Sequence, residues 1–245
     1  MQFITCINSG YLGFTRNFFS TCKKHGINLP VTVYCLDKVA FSACNEMGVN
    51  AVEHYIDASS ALTVFGGKDF RIITQEKLAC IAHAISNSLY TSTCFIDMDI
   101  AVLKDFRSYL DTLLLLNPST LVFAQCDENA ERCSPRRCIC LCTGFIIFRH
   151  DPSITELLST VIAKSHTIGN NFSSDQDLLG SFVRHIQYTS LDVSLFPNGY
   201  RCGFRPGVET YTKLDNVIGR AYIVHFNYLY GSQKELAMRT WGVYE

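Results

Sequence analysis

The sequence predicts an α/β protein, with helices flanking a mostly parallel sheet, on two observations. Short apolar runs rich in β-branched residues alternate along the first half with segments whose apolar residues return every three or four positions, the pattern of strands joined by crossover helices. The 245 residues are 48% apolar and 18% charged, which supplies one substantial core. A single domain over 1–245 is expected, with no internal repeat, low-complexity segment or interdomain linker.

Phe3 to Ile7 reads as a short buried strand. After a glycine-containing turn, Phe14, Phe18 and Cys22 recur at helical spacing until Gly26, which can stop the helix. Val31 to Leu36 is a second strand, a short helical stretch ends near Gly48, and a third strand is expected around Val52 to Ile56. Thr74 is placed to cap a helix whose apolar face runs Leu78, Ile81, Ile85 and Leu89. The next strand, Thr93 to Ile96, runs straight into Asp97. A helix near Asp105 to Leu116 precedes strands at Leu121 to Ala124 and Gly144 to Phe148. Helices follow from about Ser153 to Ser165 and from Ser174 to Arg184. Gly199, Gly203, Pro206 and Gly207 mark a loop-rich stretch before the last strand, Ala221 to Val224.

A formal charge of -1 and a pI near 6.6 give no global basic field for nucleic acid or an anionic membrane. Any anionic ligand must be held by a local site. The N-terminal apolar run stops at Asn8 without a basic leader, and the longest aliphatic block is Leu113 to Leu116, far short of a membrane span. A soluble, cytoplasmic chain without signal or anchor is expected. Most of the 12 cysteines sit in apolar runs and read as reduced thiols. Cys133, Cys138, Cys140 and Cys142 are close together, but their spacing lacks the paired Cys-x-x-Cys of a zinc knuckle. A cysteine-rich loop running into a strand is expected there.

Asp97 and Asp99 stand one residue apart between the apolar runs Cys94-Phe95-Ile96 and Ile100-Ala101-Val102-Leu103. Two like charges so near the core are costly unless a cation or donor pairs them. A strand's carboxyl end is also where open α/β sheets bind ligands. The carboxylate pair suits magnesium or manganese, with sites left for water and phosphate oxygens. His225 also follows an apolar strand and is a candidate third ligand. Ser174-Asp175-Gln176-Asp177 opens a helix: Ser174 suits the N-cap and acids favour the helix dipole. Two acids and an amide exceed what capping needs, so Asp175 and Gln176 are candidates to bind sugar hydroxyls or steady developing positive charge. Gly231 followed by Lys234 would let backbone and ammonium approach a diphosphate. A glycoside hydrolase would need its two carboxylates several ångströms apart, flanking a bond.

These segments, in this order, resemble the nucleotide-diphospho-sugar transferase family. Its relatives include plant cell-wall xylosyl- and arabinosyltransferases and, more distantly, retaining galactosyltransferases of bacterial lipopolysaccharide synthesis. The resemblance spans nearly the whole chain. It rests on Asn8-Ser-Gly-Tyr11, Lys77, Phe95-Ile-Asp-Met-Asp-Ile-Ala-Val-Leu103 and Thr143-Gly144-Phe145, then on Ser174-Asp-Gln-Asp177, Phe196-Pro-Asn-Gly199 and His225-Phe-Asn227 with Gly231 and Lys234. It implies the GT-A fold, with a Rossmann-like, mixed and mostly parallel sheet. A nucleotide-binding half of about 1–125 would be joined to an acceptor and metal-completing half of about 126–245.

The family pattern implies Mn2+ or Mg2+ on Asp97, Asp99 and His225. Asn8 and Tyr11 would meet the base, Tyr11 by stacking, with Lys77, Gly231 and Lys234 in the same donor-binding set and Lys234 on the phosphates. Asp127, Asp175 and Gln176 would face the donor sugar. The implied reaction moves a sugar from a nucleotide diphosphate, expected to be uridine diphosphate, to a glycan, glycoprotein or other hydroxyl acceptor with retained configuration. A non-catalytic nucleotide-sugar-binding protein and a nucleotidyltransferase of related fold stay open as alternatives. One departure stands out: where many relatives carry Asn before Thr-Gly, this chain has Cys142. The relatives mostly sit behind a Golgi anchor, so a microbial, viral or trimmed lumenal form is also compatible with this chain.

Overall fold

A computed structural model describes residues 1–57, 68–126, 141–168, 174–204, 211 and 215–244. Asp127, Cys133, Cys138 and Cys140 lie outside the described residues. The first half alternates as expected: β1 (Gln2–Ile7), α1 (Leu12–Lys24), β2 (Val31–Cys35), α2 (Lys38–Glu46), β3 (Asn50–Glu53), α3 (Lys68–Ser86) and β4 (Ser92–Ile96). Then come β5 (Ile100–Val102), α4 (Arg107–Leu116), β6 (Val122–Gln125), β7 (Cys142–Arg149), α5 (Pro152–Ile168) and α6 (Asp175–Phe182). The chain continues through β8 (Tyr188–Ser190), α7 (Asp215–Ile218), β9 (Ile223–His225) and α8 (Gly231–Thr240).

The main sheet has the order β3-β2-β1-β4-β7-β6-β8. Among its described strands β7 alone runs against its neighbours, so the sheet is mixed but mostly parallel. β5 and β9 form a separate antiparallel pair. Alternating residues of the central strands feed two cores, one on each face. Cys94 and Ile96 of β4 join Phe145 and Ile147 of β7 on the face that also holds Phe18, Phe106 and Trp241. Phe95, Ile146 and Phe148 point to the other face and pack with Leu78, Ile81 and Leu158. That period of two is the pleat of a sheet buried on both sides.

Two helix stops fall where the glycines predict. Gly26 and Gly48 take positive φ, 66° and 69°, and each closes a pair of backbone bonds over the last turn. Ile27 N–H reaches Cys22 O and Val49 N–H reaches Cys44 O, the Schellman pattern that a glycine in the left-handed region permits. Other boundaries differ from expectation. β3 begins two residues after Gly48 and ends at Glu53, because its ladder with β2 starts at Thr32↔Asn50. Thr74 lies inside α3, donating its hydroxyl to Arg71 O rather than capping. Leu89 lies beyond α3 and is fully exposed. Asn87 stops the helix first, its amide and backbone N–H both taking His83 O. β5 and β8 were not expected; three residues each are too few for a period to register. α8 gives no such signal either, since Gly231-Ser-Gln-Lys-Glu reads as a polar turn.

No described helix is long and apolar enough to cross a membrane. The described cysteines are free thiols, most of them buried.

Candidate metal and donor site

β4 ends at Ile96, and the Asp97 N–H donates to Gly144 O on β7 at 2.7 Å. The antiparallel contact thus continues one residue past the strand and sets the Asp97 carboxylate over Gly144. Met98 is buried between the two acids and ties the turn to the core. β5 then pairs with β9 in the register Ile100↔His225, and Phe226 N–H donates to Asp99 O at 3.0 Å. Sheet pairing therefore brings Asp99 and His225 together from distant parts of the chain. His225 Nε2 lies 3.2 Å from Asp99 Oδ1 and 3.9 Å from Asp97 Oδ2.

One ligand atom from each of Asp97, Asp99 and His225 falls within 4.8 Å of the others. Two carboxylates and an imidazole suit Mn2+ or Mg2+. Gly144 makes this approach possible: a Cβ there would sit 2.2 Å from His225 Cε1 and 2.6 Å from Asp97 Oδ2. The Asp97 side chain keeps 31% of its surface while Asp99 keeps 8% and His225 2%, so the cluster opens on the Asp97 side.

Each acid also has its own lysine. Lys77, from α3, lies 3.2 Å from Asp97 Oδ1 and 3.4 Å from Asp175 Oδ2. Lys234, from the first turn of α8, lies 2.5 Å from Asp99 Oδ2. The cost of burying two like charges is thus met locally. Burial pushes the Asp97 carboxyl up, against the pull of Lys77 and with the repulsion of Asp99. Burial would raise Asp99 too, but Lys234 and His225 outweigh it and hold it below the usual carboxylate range. Both lysines are raised although burial opposes their charge, Lys77 chiefly by Asp175 and then Asp97, and Lys234 chiefly by Asp99. Burial would lower His225; Asp99 and then Cys142 raise it to about 10. A divalent cation taking His225 as a ligand would displace a proton.

The remaining predicted residues are positioned as follows. Asn8 is buried at the carboxyl end of β1, and its carbonyl accepts from Tyr11 N–H to close a 3-10 turn. Asp37 braces that turn by accepting Ser9 N–H at 2.7 Å while capping α2 through Ala40 N–H. Burial raises the Tyr11 hydroxyl, and Lys234, Asp99, Asp97 and Lys77 all act on it, so Tyr11 belongs to the same charged neighbourhood. Ser174 caps α6 through Asp177 N–H, as expected. Asp175 is buried behind Lys77, and Gln176 follows it, half-buried. Gly231 opens α8 with φ 48°; Lys234 is therefore helical and buried, not on the surface turn that Gly-Ser-Gln-Lys suggests.

Gln125 has no place in the sequence reading, and Gly144 and Gly199 enter its account of the site only through the family resemblance. Gln125 lies 2.7 Å from His225 Nδ1. Gly144 carried a signal, since a glycine inside an apolar strand marks close approach by another group. Gly199 is clamped by Asn227: its N–H donates to Asn227 Oδ1 at 2.6 Å, and a Cβ would meet the Asn227 carbonyl oxygen at 2.2 Å. Cys142 is buried against the cluster of Asp97, Asp99 and His225, with Sγ 3.8 Å from both His225 Nδ1 and Asn227 Nδ2.

Residues 29–238 match the sequence profile of a family described as nucleotide-diphospho-sugar transferase. Among solved structures the chain is similar to the galactosyltransferase LgtC in complex with donor and acceptor sugar analogues. That similarity has a TM-score of 0.62 at 12% identity and covers 92% of this chain and 86% of that one. It is also similar to a glycosyltransferase involved in glycosylation of the major capsid of PBCV-1, with a TM-score of 0.55, 14% identity and coverage of 95% and 98%. Mouse xyloside xylosyltransferase 1 gives a TM-score of 0.54 at 11% identity, covering 92% and 97%. At these identities the likeness establishes the fold, which is GT-A. No curated protein matches the chain.

Proposed function

The chain belongs to the nucleotide-diphospho-sugar transferase family, and from that premise we propose that it is a metal-dependent enzyme that transfers a sugar from a uridine diphosphate donor to a hydroxyl of a glycan or glycoprotein, with retained configuration. The observation that carries this reading is the cluster of Asp97, Asp99 and His225 within 4.8 Å, at the carboxyl end of the central strand. Bound Mn2+ or Mg2+ would act as a Lewis acid on the departing diphosphate.

The protein's own groups supply the rest. Asn8 and Tyr11 hold the base, Tyr11 offering a flat ring with a polar tip. Lys234 and the backbone at Gly231 stand on the phosphate side. Lys234 is paired with Asp99 in the structure, so it is pre-positioned and dehydrated for an anion. Lys77 keeps Asp97 and Asp175 from repelling each other, holding Asp175 close to the acid pair. Asp175 and Gln176 are assigned to the donor sugar, where a carboxylate and an amide oxygen steady the positive charge that develops as the anomeric bond breaks; the resemblance gives Asp127 the same role. As the anomeric carbon's bond to the diphosphate breaks, the acceptor oxygen bonds that carbon on the same face and the departing phosphate oxygen takes the hydroxyl proton. In this division of labour residues 1–125 chiefly bind the nucleotide, and 126–245 complete the metal site and face the acceptor.

The test is a thermal-shift panel of nucleotide sugars with and without Mn2+, because a ligand that binds the folded state raises its melting temperature. A uridine diphosphate response that requires metal is expected. Indifference to every nucleotide would sink the reading, as would unchanged metal-dependent turnover in Asp99→Ala.

A further inference from the structure

We infer that Gln125 is a positioning residue for the metal centre: its side-chain amide holds the His225 ring with the proton on Nδ1, so that Nε2 is the atom offered to the cation. The inference rests on reading Asp97, Asp99 and His225 as a metal site.

Gln125 is the last residue of β6 and is fully buried, as is His225. Its amide nitrogen donates to two main-chain carbonyls, Phe196 O at 3.1 Å and Pro197 O at 2.9 Å. Those two acceptors decide which way the amide points, since an oxygen in that place would face two carbonyl oxygens without a proton between them. The Gln125 oxygen is therefore the end turned toward His225, 2.7 Å from Nδ1. An amide oxygen can only accept. Nδ1 must carry the hydrogen, and the other ring nitrogen is left facing Asp99 and Asp97. The thiol of Cys142 also approaches Nδ1, at 3.8 Å, but sulfur at that range is the weaker partner. Metal-binding histidines commonly have the second nitrogen oriented by such a group.

The backbone is built to deliver this side chain. An unbroken β6–β7 ladder would place Phe145 opposite Gln125, yet the register shifts after Ala124 and Gln125 pairs with Cys142. Such irregularities re-aim side chains beside functional sites. This one turns Gln125 toward His225 and leaves Gly144 beneath Asp97 and the His225 ring. The carbonyls that anchor Gln125 belong to Phe196-Pro197, and Pro197 O also accepts His225 N–H at 3.3 Å. Ring, backbone and orienting amide thus share one anchor.

The experiment compares wild type, Gln125→Met and Asp99→Asn, each labelled with 15N-histidine, by NMR of the metal-free and Mg2+-loaded proteins and by an EPR titration with Mn2+ alone. Wild type is expected to keep a slowly exchanging proton on His225 Nδ1 in both states. Gln125→Met should lose that signature, and its Mn2+ affinity should fall about 10–100-fold. Asp99→Asn should lose Mn2+ while keeping the Nδ1 proton. Wild type that binds Mn2+ with an unprotonated or freely exchanging Nδ1 overturns the role of Gln125 alone, as does Gln125→Met with wild-type Mn2+ affinity. Wild type that holds the Nδ1 proton yet takes up no Mn2+ overturns the metal reading and this role with it. If Gln125→Met does not fold, the wild-type spectra and titration still decide between these outcomes.

Discussion

In the first half of the chain, Lys77 reaches the cluster on a regular helix, and Asp97 and Asp99 stand in the short turn directly after a regular strand. Lys77 projects from the middle of α3, and the acids follow the last residue of β4. From the end of β6 onward the same cluster is completed by irregular means. His225 ends a three-residue strand, Gln125 and Cys142 meet across a shifted register, and Gly199 is clamped to Asn227. The difference separates two jobs. Regular elements fix where the charges stand and derive their stability from the large cores. The irregular segments orient one imidazole and clear the space around it.

Substitutions can break this division. Phe18→Ala removes a fully buried ring from α1. It should cost about 3–5 kcal/mol in denaturant unfolding, with the Mn2+ affinity of the folded protein unchanged. A parallel loss of metal affinity would show that scaffold and site are not separable.

Lys77→Met sits on the border between the two jobs. It leaves Asp97 and Asp175 without their shared cation. The expected loss is about 3 kcal/mol, the low end for breaking a buried pair because Asp97 keeps some solvent access. A cation at the cluster would restore the missing charge, so Mn2+ should raise the melting temperature of Lys77→Met by more than it raises that of wild type. An equal rise in both would mean that Lys77 serves packing alone.

Legibility in the sequence follows the same line. The strand-helix alternation from Phe3 to Ile96 could be read because β-branched runs and glycine stops are local signals, and Gly26 and Gly48 do end their helices. Asp97, Asp99 and His225 could be read because Asp97 and His225 each close an apolar run and Asp99 opens one. Gln125 could not. Its meaning depends on a register shift and on two carbonyls from a distant loop, and neither leaves a periodic trace. α8 was hidden for a different reason: its buried residues, Lys234, Ala237 and Met238, include one charge and one small side chain, so no apolar stripe appears. Each acid's partner lysine was likewise a matter of tertiary contact, although the need for some cation was evident from the apolar flanks.

Gly144→Ala tests the irregular half directly. The added methyl would meet the His225 ring and the Asp97 carboxylate, and the ring cannot swing away without leaving Gln125. Stability should fall by about 1–3 kcal/mol, the usual range for overpacking. Metal affinity should fall further than that of Phe18→Ala, the reverse ranking of the two substitutions. Mn2+ titration beside denaturant unfolding reads both.

Leu89→Ser gives the smallest effect and the sharpest check on where α3 ends. If the apolar spacing Leu78, Ile81, Ile85, Leu89 continued on one helical face, Leu89 would be a core residue, and its truncation would cost about 2–5 kcal/mol. In the structure Asn87 terminates the helix by taking His83 O, and Leu89 lies fully in solvent. The substitution should then change stability by no more than about 0.5 kcal/mol and leave Mn2+ binding untouched. A loss several times larger would place Leu89 in a core, extend α3 past Asn87, and move the start of the turn into β4, the strand that delivers Asp97.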